Sequence, residues 1–273
     1  MVLTANFWYE FEKNDIDEFV EKIISDEIFI TIAKPNKVVF VSYCNYLGNN
    51  PEEFVNGTIQ LINETLEKLQ IKNLNGFDWA IRVIDRPNNL CEILKKLKFT
   101  KIVSVLKMGI DLFDYKFNFD QKNFEFKIAK VNGEEFFNER MLEIFQENNS
   151  DYFKNIDQVE FFLKNRILVH EKLGNNLIQF NAYLSESQIP IAYGSMVIEK
   201  KLPTVAYLNG AATDKNYRNK GIYSNLLFKR INYAKEMGVQ YIVIDADELT
   251  SAPILEKYGF KTFDKYDIYH CNL

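Results

Sequence analysis

The chain has 273 residues, 47% of them hydrophobic, with only 11 glycines and 6 prolines, enough for one large or two medium globular domains and free of any tract with a disordered composition. A net charge of −5 gives no global reason to expect nucleic acid or an anionic membrane as partner, and it favours a neutral or cationic ligand. Three cysteines without CxxC spacing (Cys44, Cys91, Cys271) and two isolated histidines (His170, His270) argue against a disulfide framework, a zinc site or a histidine metal cluster, so no metal is expected.

In chain order, Met1 leads through Val2 and Leu3 into the amphipathic Phe7 to Glu10, with neither the basic start nor the apolar core of a signal peptide. No apolar stretch reaches the roughly 18 to 20 residues of a membrane span, and a soluble, cytoplasmic protein is expected. A polar segment, Asn45 to Gly57, precedes a helix expected over Thr58 to Gln70. A buried strand begins at Trp79, followed by a polar turn, a short helix and a further strand after Phe99. The polar, turn-prone run Tyr115 to Asn123 then separates two halves, giving expected domains over 1–118 and 119–273.

The second half opens with the alternating strand Phe124 to Val131. Helical spacing follows over Gly133 to Asn148, with Phe136, Met141, Leu142 and Phe145 on one face, and over Ile156 to Leu173. Leu177 to Leu184, Ile189 to Ile198 and Val205 to Thr213 read as a three-strand meander. A helix from about Asn219 to Met237, a strand from Gln240 to Ala246, a helix from about Ser251 to Tyr258 and closing strands complete a mixed α/β order.

The segment from Trp79 to Phe99 lies without a gap over Gln240 to Phe260. Ile93, Leu94, Lys96 and Phe99 coincide in type with Ile254, Leu255, Lys257 and Phe260. Both copies read as strand, turn, short helix and strand, which points to a duplicated fold.

The segment richest in chemistry is Ala211 to Leu227. It passes from the end of a strand through a basic loop into a helix with the apolar stripe Ile222, Leu226, Leu227, Ile231 and Ala234. The first N–H groups of such a helix have no intrahelical partner, and the macrodipole adds about half a positive charge there, which makes the turn an anion cradle. Gly221 lets the backbone approach a phosphate, and Arg218 and Lys220 add positive charge beside it.

Arg218, Asn219, Lys220 and Gly221, followed by Ile222, Leu226 and Leu227, resemble the acyl-CoA pyrophosphate motif of the GNAT superfamily, Arg/Gln-x-x-Gly-x-Gly/Ala. Ser251 to Phe260 resembles that superfamily's second motif, at a matching spacing. The resemblance covers residues 124 to 273 well and the first half faintly. It implies an α/β fold of two GNAT-like domains in tandem, each a mixed, mostly antiparallel sheet flanked by helices. It also implies an N-acyltransferase that moves an acetyl or other acyl group from acetyl-CoA, or another acyl-CoA, to an amine by direct attack in a ternary complex.

On that likeness Ala211, Ala212 and Thr213 border the pantetheine arm through the main chain. The amides of Arg218, Asn219, Lys220, Gly221, Ile222 and Tyr223, with Ser224, hold the pyrophosphate, and Lys220 or Lys215 meets the outer phosphates. Ser251 heads the second motif. Two positions depart from the pattern. Tyr223 replaces a Gly or Ala and would crowd a phosphate only if its ring turned inward, and at the start of a helix it can point out. Leu255 replaces a tyrosine that in many members protonates the departing thiolate, a step worth about 10²- to 10⁴-fold. Tyr258 and Ser251 are candidates for that role, beside the plainer readings of Tyr258 as a packing residue and of Ser251 or Thr250 as a helix cap.

For the base that takes the amine proton, Asp245 and Asp247 share one side of their strand, Glu248 follows, and Asn209 is polar in an apolar strand. Turn capping and loop solvation are the competing readings for all four.

The first half has no basic residue in its counterpart of the motif region, and Glu52 and Glu53 would repel pyrophosphate, so it is expected to act as scaffold. The acceptor is left as a small-molecule or peptide amine, with neither nucleic acid nor membrane as partner. The competing class is a non-catalytic acyl-CoA-binding sensor or interaction module, which Leu255 and the lack of an obvious base favour.

Overall fold

The computed structural model describes residues 20–24, 28–34, 37–44, 48–74, 76–83, 89–113, 115, 126–131, 135, 138–150, 155–185 and 187–271. The segment read as the link between the halves lies outside them except for Tyr115, as does part of the helix expected from Gly133. The described chain forms a mixed α/β protein in two compact units, one of residues 1–107, 246–253 and 262–273, the other of 108–245 and 254–261.

In the first unit β1 (Val20–Ile24), β2 (Ile28–Ala33) and β3 (Val38–Cys44) form an antiparallel meander. Helix α1 (Pro51–Lys68) then carries the chain to β4 (Gly76–Arg82), which runs parallel to β3. Helix α2 (Leu90–Lys96) and β5 (Thr100–Asp111) follow. Helix α1 starts seven residues before the expected Thr58, because Asn50 accepts the Glu53 amide at 3.3 Å and Pro51 needs no amide partner at the first position. Glu52 and Glu53 fall in its first turn, where the macrodipole favours acids. Val55, Ile62 and Leu66 of α1 close over Ile30, Val39, Val41 and the fully buried Trp79.

The second unit repeats this plan. After β6 (Phe126–Val131) come α3 (Glu139–Asn148) and α4 (Ile156–Leu173). The meander β7 (Asn176–Leu184), β8 (Pro190–Ile198) and β9 (Val205–Thr213) follows. Helix α5 (Ile222–Glu236) then leads to β10 (Tyr241–Asp247), parallel to β9, and α6 (Ala252–Lys257) to β11 (Lys261–Cys271). Its strands are ordered β10-β9-β8-β7-β6.

Helices α3 and α4 cover one face, where Met141, Leu142, Ile144 and Val159 pack with Tyr193 and Ala212. Helix α5 covers the other: a Cβ on Gly194, the neighbour of Tyr193, would lie 3.0 Å from the Arg230 guanidinium carbon, and successive strand residues point to opposite faces.

The duplication extends to the helix ends. Lys98 and Gly259 both adopt left-handed backbone, with φ of 67° and 83°. The amide of Phe99 reaches the Leu94 carbonyl as that of Phe260 reaches Leu255, at 2.9 and 3.1 Å. These are the wide closing bonds of the same C-terminal helix stop.

The two copies part at the last strand. Beyond residue 261 the chain joins the first unit, whose strand order is β1-β2-β3-β4-β11-β5, and β11 pairs antiparallel with β4 from Tyr266 opposite Arg82 to Cys271 opposite Phe77. Contacts at 2.7 Å fasten it: Arg82 with Asp264, Lys101 and Ser104 with Asp267, and His270 with Asp78. All three aspartates are buried, so each carboxylate is compensated where water is scarce.

Candidate functional site

Strands β9 and β10 pair only where Val205, Ala206 and Tyr207 face Tyr241, Ile242 and Val243. Beyond Tyr207 they are no longer partners, and β9 continues along β8 alone to Thr213. The ladder slips between Gly194 and Ser195 of β8, so Gly210 is an extra residue on β9, a bulge. The Ser195 hydroxyl lies 3.2 Å from the Asn209 carbonyl and 3.4 Å from that of Gly210, and the Gly210 amide donates to the Asn209 side chain at 3.0 Å. Gly210 is exposed, and Asn209, Ala211 and Thr213 are half-buried along this freed edge. Ala212 faces the α3 side and is 6% exposed.

The edge ends in a tight passage into α5. The Asp214 carboxylate caps a single 3-10 turn, Lys215–Tyr217, by accepting the Asn216 amide at 2.9 Å. Asn219 and Gly221 both take left-handed backbone, at φ of 63° and 74°, and Gly221 is the N-cap residue of α5 with no side-chain cap. The Gly221 carbonyl accepts the Asn225 amide at 3.1 Å and the Asn225 side-chain amide at 2.9 Å. That first helical bond leaves the amides of Ile222, Tyr223 and Ser224 with no partner inside the helix. A left-handed residue followed by helical ones directs successive amides into one concavity, the geometry of an anion nest.

Lys220 is exposed, with its ammonium 5.0 Å from the Tyr217 ring centre. Arg218 is exposed too, but its guanidinium donates to the Thr213 carbonyl at 3.3 Å and to Asn148 at 3.2 Å. Ile222 is buried in the stripe of α5. Tyr223 packs along the helix. Its half-buried ring lies along the helix against Arg230, with the guanidinium carbon 5.9 Å from the ring centre, drawn by the attraction of a cation for a π face.

Arg230 has no exposed surface. It donates to the Leu226 and Ser195 carbonyls, both at 3.2 Å, while its second terminal nitrogen has no hydrogen-bond partner. Burial pushes the Arg230 pKa below its ordinary value, partly offset by Tyr223, and burial raises that of Tyr223 against the pull of Arg230.

Of the acid–base candidates, Asp245 is half-buried near the end of β10. Asp247 caps the next turn with one carboxylate oxygen, which accepts from the amides of Leu249 and Thr250 at 2.8 Å and from the Thr250 hydroxyl at 3.0 Å. Ser251 is half-buried, its hydroxyl 3.5 Å from the Asp247 carbonyl. Glu248 pairs with Lys265 at 2.5 Å. Leu255 is wholly buried in the core. Half-buried Tyr258 accepts on its carbonyl the Tyr115 hydroxyl, at 2.6 Å. The Tyr115 pKa is pushed up to about 12 by burial, with Tyr258 adding to it.

Several residues here escaped the sequence reading. Arg230 carried a usable signal, a charge inside an apolar helical stripe. Arg140, Asn148 and Ser195 carried none, because their partners lie on other elements. Among the described residues no group of His, Cys, Asp or Glu could hold a metal ion, and no helix is long and apolar enough to cross a membrane.

The profile of the acetyltransferase (GNAT) family matches residues 138–260, from the N-cap of α3 to the stop of α6. No curated protein matches the sequence. Among solved structures, the chain is similar to a tandem GNAT protein from the clavulanic acid biosynthesis pathway, with TM-score 0.61 and 9% identity over 94% of this chain and 84% of that one. It is similar to a GCN5-related N-acetyltransferase from Sphaerobacter thermophilus, with TM-score 0.61 and 12% identity over 98% and 85%. A conserved protein of unknown function from Staphylococcus epidermidis gives TM-score 0.65 and 11% identity over 96% and 97%. At such identities the likeness is one of fold, and that fold is the tandem arrangement.

Proposed function

Because residues 138–260 match the acetyltransferase (GNAT) family, we propose that the second unit binds an acyl-CoA and transfers the acyl group to the nitrogen of a small-molecule or peptide amine. The observation that carries this reading is the parting of β9 from β10 after Tyr207, on an edge that runs into the glycine-headed start of α5. An extended pantetheine arm has main-chain groups to pair with along Asn209 to Thr213. A pyrophosphate at its end meets the unpaired amides of Ile222, Tyr223 and Ser224, with the Lys220 charge nearby.

The amine attacks the thioester carbonyl, the C–N bond forms, the carbonyl oxygen gains charge, and the C–S bond breaks to release a CoA thiolate. The amine must lose a proton, and half-buried Asp245 is the candidate acceptor, directly or through water. Asn209 is the candidate for orienting the amine or that water. Tyr258 is the candidate donor to the thiolate, in place of the tyrosine that Leu255 replaces. Asp247 and Ser251 serve the turn before α6.

A second reading has its own support: the burial of Leu255 and the commitment of Asp247 to a turn suit an acyl-CoA-binding module without turnover. Calorimetric titration with acetyl-CoA, then thiol release over an amine panel, separates the two. Binding with amine-dependent thiol release supports the transferase. Binding without it across the panel supports the module. No binding of acetyl-CoA or CoA removes both.

A further inference from the structure

The passage from β9 into α5 is bolted to helix α3 at both of that helix's ends. In the first turn of α3, Arg140 donates to the carboxylate of Asp214, a residue only 3% exposed, and to Glu143 at 2.5 Å. Burial alone would raise the Asp214 pKa, but the Asn216 amide and Arg140 outweigh it and hold the carboxyl below its ordinary value. At the last residue of α3, Asn148 receives the Arg218 guanidinium on its side-chain oxygen at 3.2 Å. The orientation of that amide is settled by its other end, which donates to the Ile144 carbonyl of the same helix at 2.8 Å. Arg218 closes the link by donating to the Thr213 carbonyl.

The Arg218 guanidinium thus directs its Nε and one terminal nitrogen at Thr213 and Asn148, while Lys220 and Lys215 stay exposed on the same passage. We propose that Arg218 is a positioning residue that straps the pyrophosphate loop to Asn148, and that Lys220 supplies the positive charge facing the phosphates. This rests on the acyl-CoA reading above. A strap matters because the amides of Ile222, Tyr223 and Ser224 converge only while Asn219 and Gly221 hold their left-handed conformations. A loop free to relax would meet the ordering cost again at each binding event. An arginine suits the task, since a planar guanidinium bridges two fixed acceptors where a lysine offers one point charge.

The test is calorimetric titration of the full chain with acetyl-CoA at low and high salt, for wild type, Arg218→Ala, Asn148→Ala, their double variant and Lys220→Ala, each checked for an unchanged thermal midpoint. Arg218→Ala and uncharged Asn148→Ala should each weaken binding by about 3- to 10-fold, the scale of one hydrogen bond. The double variant should be no worse than either single one, because the two residues form one link. The salt dependence should persist in Asn148→Ala, which changes no charge, and flatten most in Lys220→Ala. Asn148→Asp, which keeps an acceptor for Arg218, should restore affinity.

Arg218→Lys keeps the charge and loses the fork, so it should bind as weakly as Arg218→Ala. It also stands in for the alanine variant if that one does not fold. The strap is overturned if Arg218→Ala flattens the salt dependence while Asn148→Ala binds like wild type, if the two losses add, or if Arg218→Lys binds like wild type. A wild type that binds neither acetyl-CoA nor CoA would remove the acyl-CoA reading and the strap with it, a result distinct from the others.

Discussion

Gly221→Asp tests the anion cradle most directly, because the effects on folding and on binding separate. The residue is exposed at φ 74°, where an L side chain costs about 1–2 kcal/mol. An aspartate at an N-cap recovers about 0.5–2 kcal/mol by accepting the orphan amides of the first turn. The two nearly cancel, and the thermal midpoint should move little. Binding has no such offset, because the new carboxylate repels phosphate and competes for the same amides.

Two unit charges about 4 Å apart repel by about 1 kcal/mol in bulk water and by about 4 at an effective dielectric of about 20. For an exposed position the lower part of that range applies, about 1.5–3 kcal/mol against a pyrophosphate, or roughly 10- to 150-fold in affinity. Gly221→Ala, with the strain but not the charge, should lose less than about 5-fold. Isothermal titration with acetyl-CoA at two salt concentrations reads both variants. A folded Gly221→Asp protein that binds acetyl-CoA as tightly as wild type would place the phosphates elsewhere.

Three further outcomes follow from the packing. Arg230→Ala takes a donor from the Leu226 and Ser195 carbonyls and empties the space beneath Gly194, offset in part by the relief of a buried charge held only by neutral acceptors, so unfolding in urea should show a loss of about 1–3 kcal/mol, and a more stable variant would contradict this account. Leu255→Tyr should cost about 1–3 kcal/mol by overpacking and leave thiol release no faster, since the side chain at 255 points into the core; a faster variant would show that the position reaches the thiolate. The Asp214 carboxyl is held below its ordinary value, so its contribution is present above the unfolded value of about 4 and lost as pH falls through the lower folded one. The stability gap between wild type and Asp214→Asn should therefore shrink between pH 5 and pH 3 (about one unit either side of that value), and a gap independent of pH would rule out this ion pair as its source.

Much of the architecture was legible in local pattern. Val205 to Thr213 is a largely apolar run that ends before a polar loop, and the structure starts and stops β9 at those residues. The apolar stripe of α5 is fully buried, because residues three and four apart must share a face of a helix. The self-match of Trp79 to Phe99 with Gln240 to Phe260 reappears as two helix stops with the same bonds, even where Lys98 stands for Gly259 and a local propensity rule would have predicted otherwise. The start of α1 was placed late because Asn45 to Gly57 was read as one polar segment ahead of the helix, where Pro51 and the two glutamates after it suit a first helical turn.

What remained hidden depends on partners far away in sequence. Nothing in Lys261 to Cys271 states that it pairs with β4, since a strand's own residues encode which face is apolar and leave the neighbouring strand to the assembly of the sheet. Tyr223 could have turned outward, and its ring is set by the cation of Arg230, two turns along a helix whose packing holds that cation in place. Arg218 reads in sequence as a charge beside a phosphate site. Only the folded chain brings Asn148 within 3.2 Å of it and makes it a fastening. Periodicity and motif spacing are properties of adjacent residues and so survive in one dimension. The direction of a side chain, and the acceptor that satisfies it, exist only once distant elements have packed.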